Sequence, residues 1–253
     1  MNDAMGRPVE AIVTAALLVI GDEILSGRTK DKNIGHIADH LTAIGIQLKE
    51  VRIVPDVEHE IVGAVNTLRA KYTYLFTTGG IGPTHDDITA DAVAKAFGVG
   101  IDVDERALTP MKAYYAQRGV ELTPARLRMA RLPFGSELVE NSVSIAPGFK
   151  LDNVIVMAGV PNIMHVMLEA ATKFLKTGKK MLSVGIDLHR PEGEIAAMFE
   201  EHQKRYPDVP MGSYPFVRDG KPGTQLVLRS TDAALLAKAE SELKMQLAAR
   251  GWL

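Results

Sequence analysis

The sequence predicts an α/β protein: a three-layer sandwich in which helices cover both faces of a mostly parallel sheet, followed by a small α+β unit. Over the first hundred residues, patterns typical of buried strands and of amphipathic helices alternate three times. Such strand–helix units need crossover connections, which are typical of parallel sheets. A polar break at residues 176–180 is followed by a different order of elements. The 253 residues are also enough for one medium and one small domain.

The elements of the larger domain follow from the spacing of apolar residues. Residues 14–20 form a continuous apolar run that ends at Gly21, which suits a strand buried on both faces. The next apolar positions, among them Ile37 and Leu41, fall at helical spacing and end at Gly45, a typical C-terminal cap. The other predicted elements are strands at residues 46–54, 72–78 and 154–157, and helices at residues 58–70, from Thr89 onward, and at 105–118, 123–130 and 162–176.

Two regions complete the predicted order. Residues 132–150 carry turn residues and little periodicity, so we expect a long excursion of short strands and turns there. After the polar break we expect strand 181–188, helix 192–206, strands 211–217 and 223–229, and helix 232–250. The predicted domain boundaries are an N-terminal extension at residues 1–12, an α/β domain at 13–176 and an α+β domain at 177–253.

Composition and charge exclude several classes of protein. A net charge of -2 gives no electrostatic footprint for nucleic acid, so we expect no nucleic-acid partner. The absence of cysteine excludes disulfides, thiolate metal sites and a cysteine nucleophile, and it agrees with a reducing compartment. The longest apolar run, residues 11–20, is too short to span a bilayer. We therefore expect a cytoplasmic protein with no membrane partner.

The strongest local signal is a glycine-bearing loop between a predicted strand and a predicted helix. Residues 77–89 read TTGGIGPTHDDIT. Three glycines let the backbone approach an oxyanion closely, and a helix start adds N–H donors, so the loop suits a phosphate group. It matches neither the Walker loop nor the dinucleotide fingerprint. The alternative is a tight turn in which Asp86 or Asp87 and Thr89 cap the helix.

Further motifs lie at the ends of other predicted elements, and together with the loop they carry a resemblance. They are GDEILSG at residues 21–27, Pro-Asp at 55–56, APGF at 146–149 and GVP at 159–161. In this order they resemble the molybdopterin-binding fold of MogA, MoaB and CinA proteins, and they are most similar to the CinA (competence/damage-inducible) branch. Ala158 departs from the family pattern, which usually has proline there.

The resemblance extends to the small C-terminal unit and has consequences for function. In CinA proteins a KH-like α+β module follows the first domain, and residues 181–253 fit it. The amidohydrolase domain of full-length CinA proteins has no counterpart in these residues, so we do not expect its deamidase activity. The resemblance implies a divalent-metal-dependent pyrophosphatase acting on ADP-ribose or a related nucleotide diphosphate such as FAD. The alternatives are a non-catalytic molybdopterin- or nucleotide-binding module, and adenylyl transfer in molybdenum cofactor biosynthesis.

The resemblance also implies site residues. Asp87 would be the central metal ligand and catalytic residue, with Asp86 and Asp22 as supporting carboxylates and Asp22 as a second metal ligand. Oxygen donors of this kind suit magnesium or manganese, with cobalt as a third candidate. For Asp56, a turn and helix-capping role is the favoured interpretation. The full set of expected substrate-binding residues is Thr78, Gly79, Gly80, Gly82, Thr84, Ser26, Asn33 and Asp56. We expect a homodimer, with a trimer as the alternative.

Two of three other features have simpler explanations than function, and the third, His85, is a candidate for the site. His36 and His40 stand four apart on a predicted helix but lack the glutamate of a metalloprotease helix, so we expect surface or core positions. His85 lies within the glycine loop, and we consider it a candidate for contacting phosphate or accepting a proton. The GKPG sequence at residues 220–223 spells the G-x-x-G of KH domains, but it links two predicted strands and is more simply a hairpin turn.

Overall fold

The computed structural model describes residues 12–253, which divide into two compact units between Gly178 and Lys179. The predicted N-terminal extension, apart from Ile12, lies outside the described residues. Among the described residues, no helix combines the length and the apolar character needed to cross a membrane.

The larger unit is built around a six-stranded sheet with the order β2-β1-β3-β8-β7-β6. Strands β1, β2, β3 and β8 run parallel, whereas β6 and β7 add an antiparallel edge. A separate antiparallel ribbon joins β4 to β5. The strands are β1 Val13–Ile20, β2 Ile46–Val54, β3 Tyr74–Thr78, β4 Ile101–Val103, β5 Arg131–Pro133, β6 Glu137–Val139, β7 Gly148–Leu151 and β8 Val154–Met157.

Helices cover both faces of this sheet, which confirms the predicted three-layer sandwich. The helices are α1 Asp22–Leu25, α2 Asn33–Ala43, α3 Glu58–Lys71, α4 Thr89–Phe97, α5 Glu105–Gln117, α6 Pro124–Leu127 and α7 Pro161–Ala171. One apolar cluster joins the sheet to α3, α4 and α5, and includes Leu18 and Ile61. A second cluster joins the opposite face to α2 and α7, and includes Leu17 and Phe76. Alternate residues of one strand thus serve two cores, because strand side chains point to opposite faces in turn.

Several predicted boundaries differ from the structure for identifiable reasons. The predicted helix 123–130 is divided into α6 and a 3-10 turn at Arg128–Ala130 that leads into β5. The predicted helix 162–176 ends at Ala171 and continues as a 3-10 turn at Thr172–Phe174. The short helix α1 was not predicted, since four residues carry no periodicity. The excursion at residues 132–150 contains β6 and the start of β7, as short strands joined by turns.

The smaller unit is an antiparallel sheet of order β10-β11-β9 with two helices. Its elements are β9 Leu182–Leu188, α8 Glu192–Arg205, β10 Met211–Arg218, β11 Lys221–Ser230 and α9 Ala233–Ala248. Leu226 and Leu228 of β11 pack with α8 and α9 residues such as Phe199 and Leu243 in one core. Asp219 and Gly220 both have positive φ, as a two-residue hairpin turn requires. Gly220 therefore lies in a hairpin, and the likeness to a KH module stays a prediction.

Candidate functional site

The glycine loop, residues 79–88, leads from β3 to α4 and packs tightly against the end of β1. Gly79 has φ +102°, and a Cβ atom there would lie 2.1 Å from the carbonyl oxygen of Ile20. Gly80 has φ +67°, and its Cβ would lie 2.2 Å from Thr89 Oγ1. Both positions therefore require glycine for backbone conformation and for space.

Thr89, the first residue of α4, holds this loop in place. Its hydroxyl donates to the carbonyl of Gly79 at 2.9 Å, and its N–H donates to the carbonyl of Gly80 at 3.0 Å. The residue before the helix, Ile88, makes no side-chain cap, and neither Asp86 nor Asp87 caps α4. The alternative interpretation of the loop as a helix cap built from these aspartates is therefore wrong.

The loop keeps several backbone donors unused. Within the described chain, the N–H groups of Gly80, Ile81 and Gly82 donate no hydrogen bond to the protein. These three residues line a cleft of about 480 Å³ whose other wall includes Gly159 and Pro161. Consecutive unpaired amides beside a helix start form an anion-binding arrangement.

Asp87 lines the same cleft with its carboxylate fixed by the loop itself. Its Oδ2 accepts hydrogen bonds from the N–H of Thr84 at 2.8 Å and from the Thr84 hydroxyl at 2.5 Å. A Cβ atom on Gly82 would lie 2.7 Å from Asp87 Oδ2, so glycine there leaves room for the carboxylate. The loop thus presents one oriented carboxylate beside free amides. Neighbouring Asp86 is exposed and does not line the cleft.

A second group of carboxylates surrounds Asp56. The N–H of Asp22 donates to Asp56 Oδ2 at 2.9 Å, which ties the start of α1 to the turn after β2. Burial raises the pKa of Asp56 above its ordinary value, while the bond from Asp22 lowers it. The charges of Asp22, Glu23 and Asp86 raise the pKa further. Of this group, only Glu23 lines the cleft together with Asp87. Asp22, which the sequence predicted as a metal ligand, is its neighbour in the chain and does not line the cleft.

The arrangement of histidine and acidic side chains limits how many protein ligands a metal ion can have in the described structure. Across residues 12–253, no three His, Asp or Glu side chains are arranged to hold a metal ion. Glu23 and Asp87 are the two acidic residues among those that line the cleft. Magnesium is often bound by one or two carboxylates together with substrate phosphates, so the donors fit a metal that is held jointly with a diphosphate.

Comparison with known proteins gives the family. A family model described as "Probable molybdopterin binding domain" matches residues 16–177. The chain belongs to that family. A curated protein from Aeropyrum pernix is 33% identical over 248 residues, which is 94% of this chain and 92% of that protein. Another from Pyrobaculum calidifontis is 34% identical over 215 residues, 80% of each chain.

A solved structure and a second family model refine the comparison. The protein CinA from Thermoplasma acidophilum, described as of unknown function, is 36% identical with a TM-score of 0.60. The alignment covers 65% of this chain and 99% of that one. The predicted resemblance to CinA-like members of the molybdopterin-binding family is therefore confirmed. In the smaller unit, a model described as "FAD synthase, middle domain" matches residues 180–252.

The other residues that the sequence predicted to bind substrate lie in different surroundings, some buried and some exposed. Asn33 is 4% exposed, and its Nδ2 donates to the carbonyl of Gly159 at 2.7 Å, while its Oδ1 has no partner. The Thr78 hydroxyl is buried without a partner. Neither residue lines the cleft. Ser26 is exposed at the end of α1, and Thr84 is committed to Asp87.

The histidines singled out in the sequence lie in different surroundings. His36 stacks on His165, with ring centroids 3.6 Å apart, and His40 Nε2 lies 2.8 Å from Thr172 Oγ1. These contacts join α2 to α7 and the turn after it, which agrees with a packing role. The side chain of His85 is 98% exposed, although it belongs to the loop.

Sequence analysis missed two further features of the site. Arg128 donates from Nη2 to the carbonyl of Asp87 at 3.2 Å. Asn141 organises another part of the cleft lining, because its Oδ1 accepts from the N–H groups of Val143 and Ser144 and its Nδ2 donates to the carbonyl of Ala146. Both contacts depend on the fold or on loop geometry. For Asn141 the only sequence signal was the turn-rich stretch of residues 132–150, which singles out no residue, and Arg128 lies outside that stretch, in the predicted helix 123–130.

Proposed function

We propose that the larger unit binds a nucleoside diphosphate linked to a sugar or cofactor, such as ADP-ribose or FAD, and hydrolyses the diphosphate with a divalent metal ion. One observation carries the proposal. The unpaired amides of Gly80, Ile81 and Gly82 and the carboxylates of Glu23 and Asp87 belong to residues that line the same cleft of about 480 Å³. A volume of this order is typical of small-molecule sites.

The loop would bind phosphate through its amides. Backbone N–H groups recognise phosphoryl oxygens without regard to the rest of the ligand. Thr89 keeps these amides in place by its bonds to the carbonyls of Gly79 and Gly80. The loop is therefore organised before a ligand arrives, which lowers the entropic cost of binding.

The carboxylates would hold magnesium or manganese together with the diphosphate. Glu23 and Asp87 line the cleft and would hold the ion through their carboxylate oxygens. When bound, such an ion polarises a phosphoryl oxygen and makes a bound water more acidic. Attack of water on phosphorus breaks one P–O bond of the bridge, so that ADP-ribose gives AMP and ribose 5-phosphate, and FAD gives AMP and FMN.

The family comparisons support this class of substrate. The larger unit belongs to a family described by molybdopterin binding, and the smaller unit matches the middle domain of FAD synthase. Molybdopterin and FAD both carry phosphate groups on a ring-bearing cofactor. A phosphate cradle beside a roomy cleft serves either ligand.

The test is AMP release from ADP-ribose and FAD by the full chain, with magnesium, manganese or cobalt and with chelator. We expect release only with metal, and a loss of at least about 100-fold in Asp87→Asn, because that variant loses a charged metal ligand. Asp39→Asn is the matched control, since Asp39 is an exposed carboxylate of α2 that does not line the cleft. Absence of release from wild type with every metal would contradict the hydrolase.

A non-catalytic molybdopterin- or nucleotide-binding module is the second candidate. It is favoured by the absence, within residues 12–253, of three side chains arranged to hold a metal. Retained ADP-ribose binding without turnover would select it. Adenylyl transfer onto a molybdopterin uses the same phosphate cradle, and it would appear as AMP transfer only when the pterin acceptor is added.

A further inference from the structure

Arg128 is a half-buried cation whose hydrogen-bonding capacity is largely unused. The only hydrogen bond of its guanidinium in the described structure runs from Nη2 to the carbonyl of Asp87, at 3.2 Å. Its Nε is buried and has no acceptor. No carboxylate of the described chain lies within ion-pair distance of its guanidinium. Buried donors without a partner, such as this Nε, are rare in native proteins.

Arg131 provides a comparison in the same surroundings. Both arginines line one small cavity, of about 20 Å³, together with Gly80, Gly82 and Asp87. Arg131 is neutralised by Asp91, with two bonds of 3.0 and 2.7 Å. Arg128 lacks such a partner although it lies beside the same loop. Among residues 12–253 no carboxylate pairs with Arg128, so its guanidinium is available to an anion from outside this part of the chain.

The position of Arg128 indicates the charge of that partner. Gly80, Gly82 and Asp87 line both the larger cleft and the small cavity that Arg128 also lines, so Arg128 lies next to the loop whose amides are free. A guanidinium and backbone amides share a preference for oxyanions, and arginine matches the oxygens of phosphate with two donors at once. The small cavity holds about one water, so the anion would lie on the cleft side of the loop.

We propose that Arg128 binds a phosphoryl group held by the amides of Gly80, Ile81 and Gly82, its guanidinium turning from the carbonyl of Asp87 towards the phosphoryl oxygens. The inference rests on the proposed phosphate ligand and adds to it the cation that neutralises the phosphate. Recognition then depends on the charge of the ligand as well as on its shape. An uncharged nucleoside gains nothing from Arg128.

The test measures metal-free binding of adenosine, AMP and ADP-ribose to the full chain by calorimetry. We expect Arg128→Gln to weaken the binding of ADP-ribose and AMP by at least about 10-fold, since a hydrogen bond to a charged group is lost. The affinity for adenosine should stay unchanged. Arg128→Lys, which keeps the charge without the planar fork, should give an intermediate loss. Arg131→Lys is the matched control, because it keeps the ion pair with Asp91 and should bind like wild type.

The binding of Arg128 variants and the release of AMP by wild type test different claims. Equal ADP-ribose affinity in wild type and Arg128→Gln would overturn the role of Arg128 while leaving hydrolysis intact. A uniform loss that includes adenosine would also overturn it, since that is the result of a purely structural role. Charge-dependent loss in a protein that releases no AMP would support Arg128 and overturn the hydrolase. Failure of wild type to bind either phosphorylated ligand without metal would overturn the role of Arg128, and the hydrolase would then be decided by AMP release with metal.

Discussion

Gly79 and Gly80 show that the glycine residues of the loop are needed for packing as well as for ligand approach. The sequence predicts them as places where a phosphate comes close to the backbone. In the structure, the space beside each is already filled by Ile20 and Thr89, respectively. Sequence reasoning could not find these contacts, because they depend on which strand end lies beside the loop. Phosphate binding and folding therefore both require glycine at these two positions.

We expect Gly79→Ala to lower the free energy of unfolding by about 1–3 kcal/mol or more, because the new methyl group meets the carbonyl of Ile20 at 2.1 Å. Chemical denaturation measures the change. Gly63→Ala is the matched control, since Gly63 lies within α3 with open space around it. That substitution should raise the stability by about 0.5–1 kcal/mol through helix propensity. Equal stability of wild type and Gly79→Ala would contradict the packing of the loop.

The raised pKa of Asp56 leads to a prediction about how the stability of the protein depends on pH. Burial, together with nearby carboxylates, raises its pKa in the folded protein above the unfolded value. Its neutral form therefore favours the folded state, and this contribution is present at low pH and lost as the pH rises through the folded pKa. Asp56→Asn, which keeps an acceptor for the N–H of Asp22, should melt at a higher temperature than wild type at pH 7. The difference should disappear at acidic pH, and a constant difference across pH would contradict this account.

The carboxylates around the cleft show where residue-level prediction reaches its limit. The sequence places Asp22 and Glu23 together after β1, and only the turn of α1 decides which of them lines the cleft. Asp87 could be predicted because its loop motif is specific. Arg128 could not, since its approach to Asp87 depends on the 3-10 turn that ends the predicted helix 123–130.

At the scale of elements, the start of α4 connects the fold to the site. Its first residue, Thr89, is fully buried and bonds to the carbonyl of Gly79. The strand before the loop and the helix after it could be predicted, because continuous apolar runs and helical spacing are strong local signals. The threonine bond could not, since threonine at a helix start first suggests a cap.

We expect Thr89→Val to destabilise the protein by about 1–3 kcal/mol, because the substitution leaves a buried carbonyl without its donor. It should also weaken ADP-ribose binding, since the loop loses its anchor. Thr67→Val is the matched control, because the exposed Thr67 hydroxyl also donates to a carbonyl, that of Gly63, within α3. Its effect should stay within about 0.5 kcal/mol. Similar losses in both variants, measured by denaturation, would show that burial of the bond is unimportant.

At the scale of the whole molecule, the three-layer order could be predicted from the alternation of elements, whereas the antiparallel edge of β6 and β7 could not. Parallel strands such as β1 and β3 are buried on both faces and read as apolar runs. The edge strands have three or four residues each, too few for a periodic pattern. All residues that line the cleft belong to the larger unit.

This placement predicts that a fragment of residues 1–178 binds ADP-ribose with the affinity of the full chain, because the unit contains both of its apolar clusters and the complete cleft. Circular dichroism would establish that the fragment folds, and calorimetry would give its affinity. A folded fragment without binding would mean that the smaller unit contributes to the site.

The most direct test of the central claim is an amide NMR titration of the full chain with ADP-ribose in the absence of metal. We expect the N–H resonances of Gly80, Ile81 and Gly82 to shift most, because these donors have no partner among residues 12–253 and gain one in the phosphate. Saturable binding that leaves these three resonances unchanged and moves others away from the cleft would contradict the assignment of the glycine loop as the phosphate site.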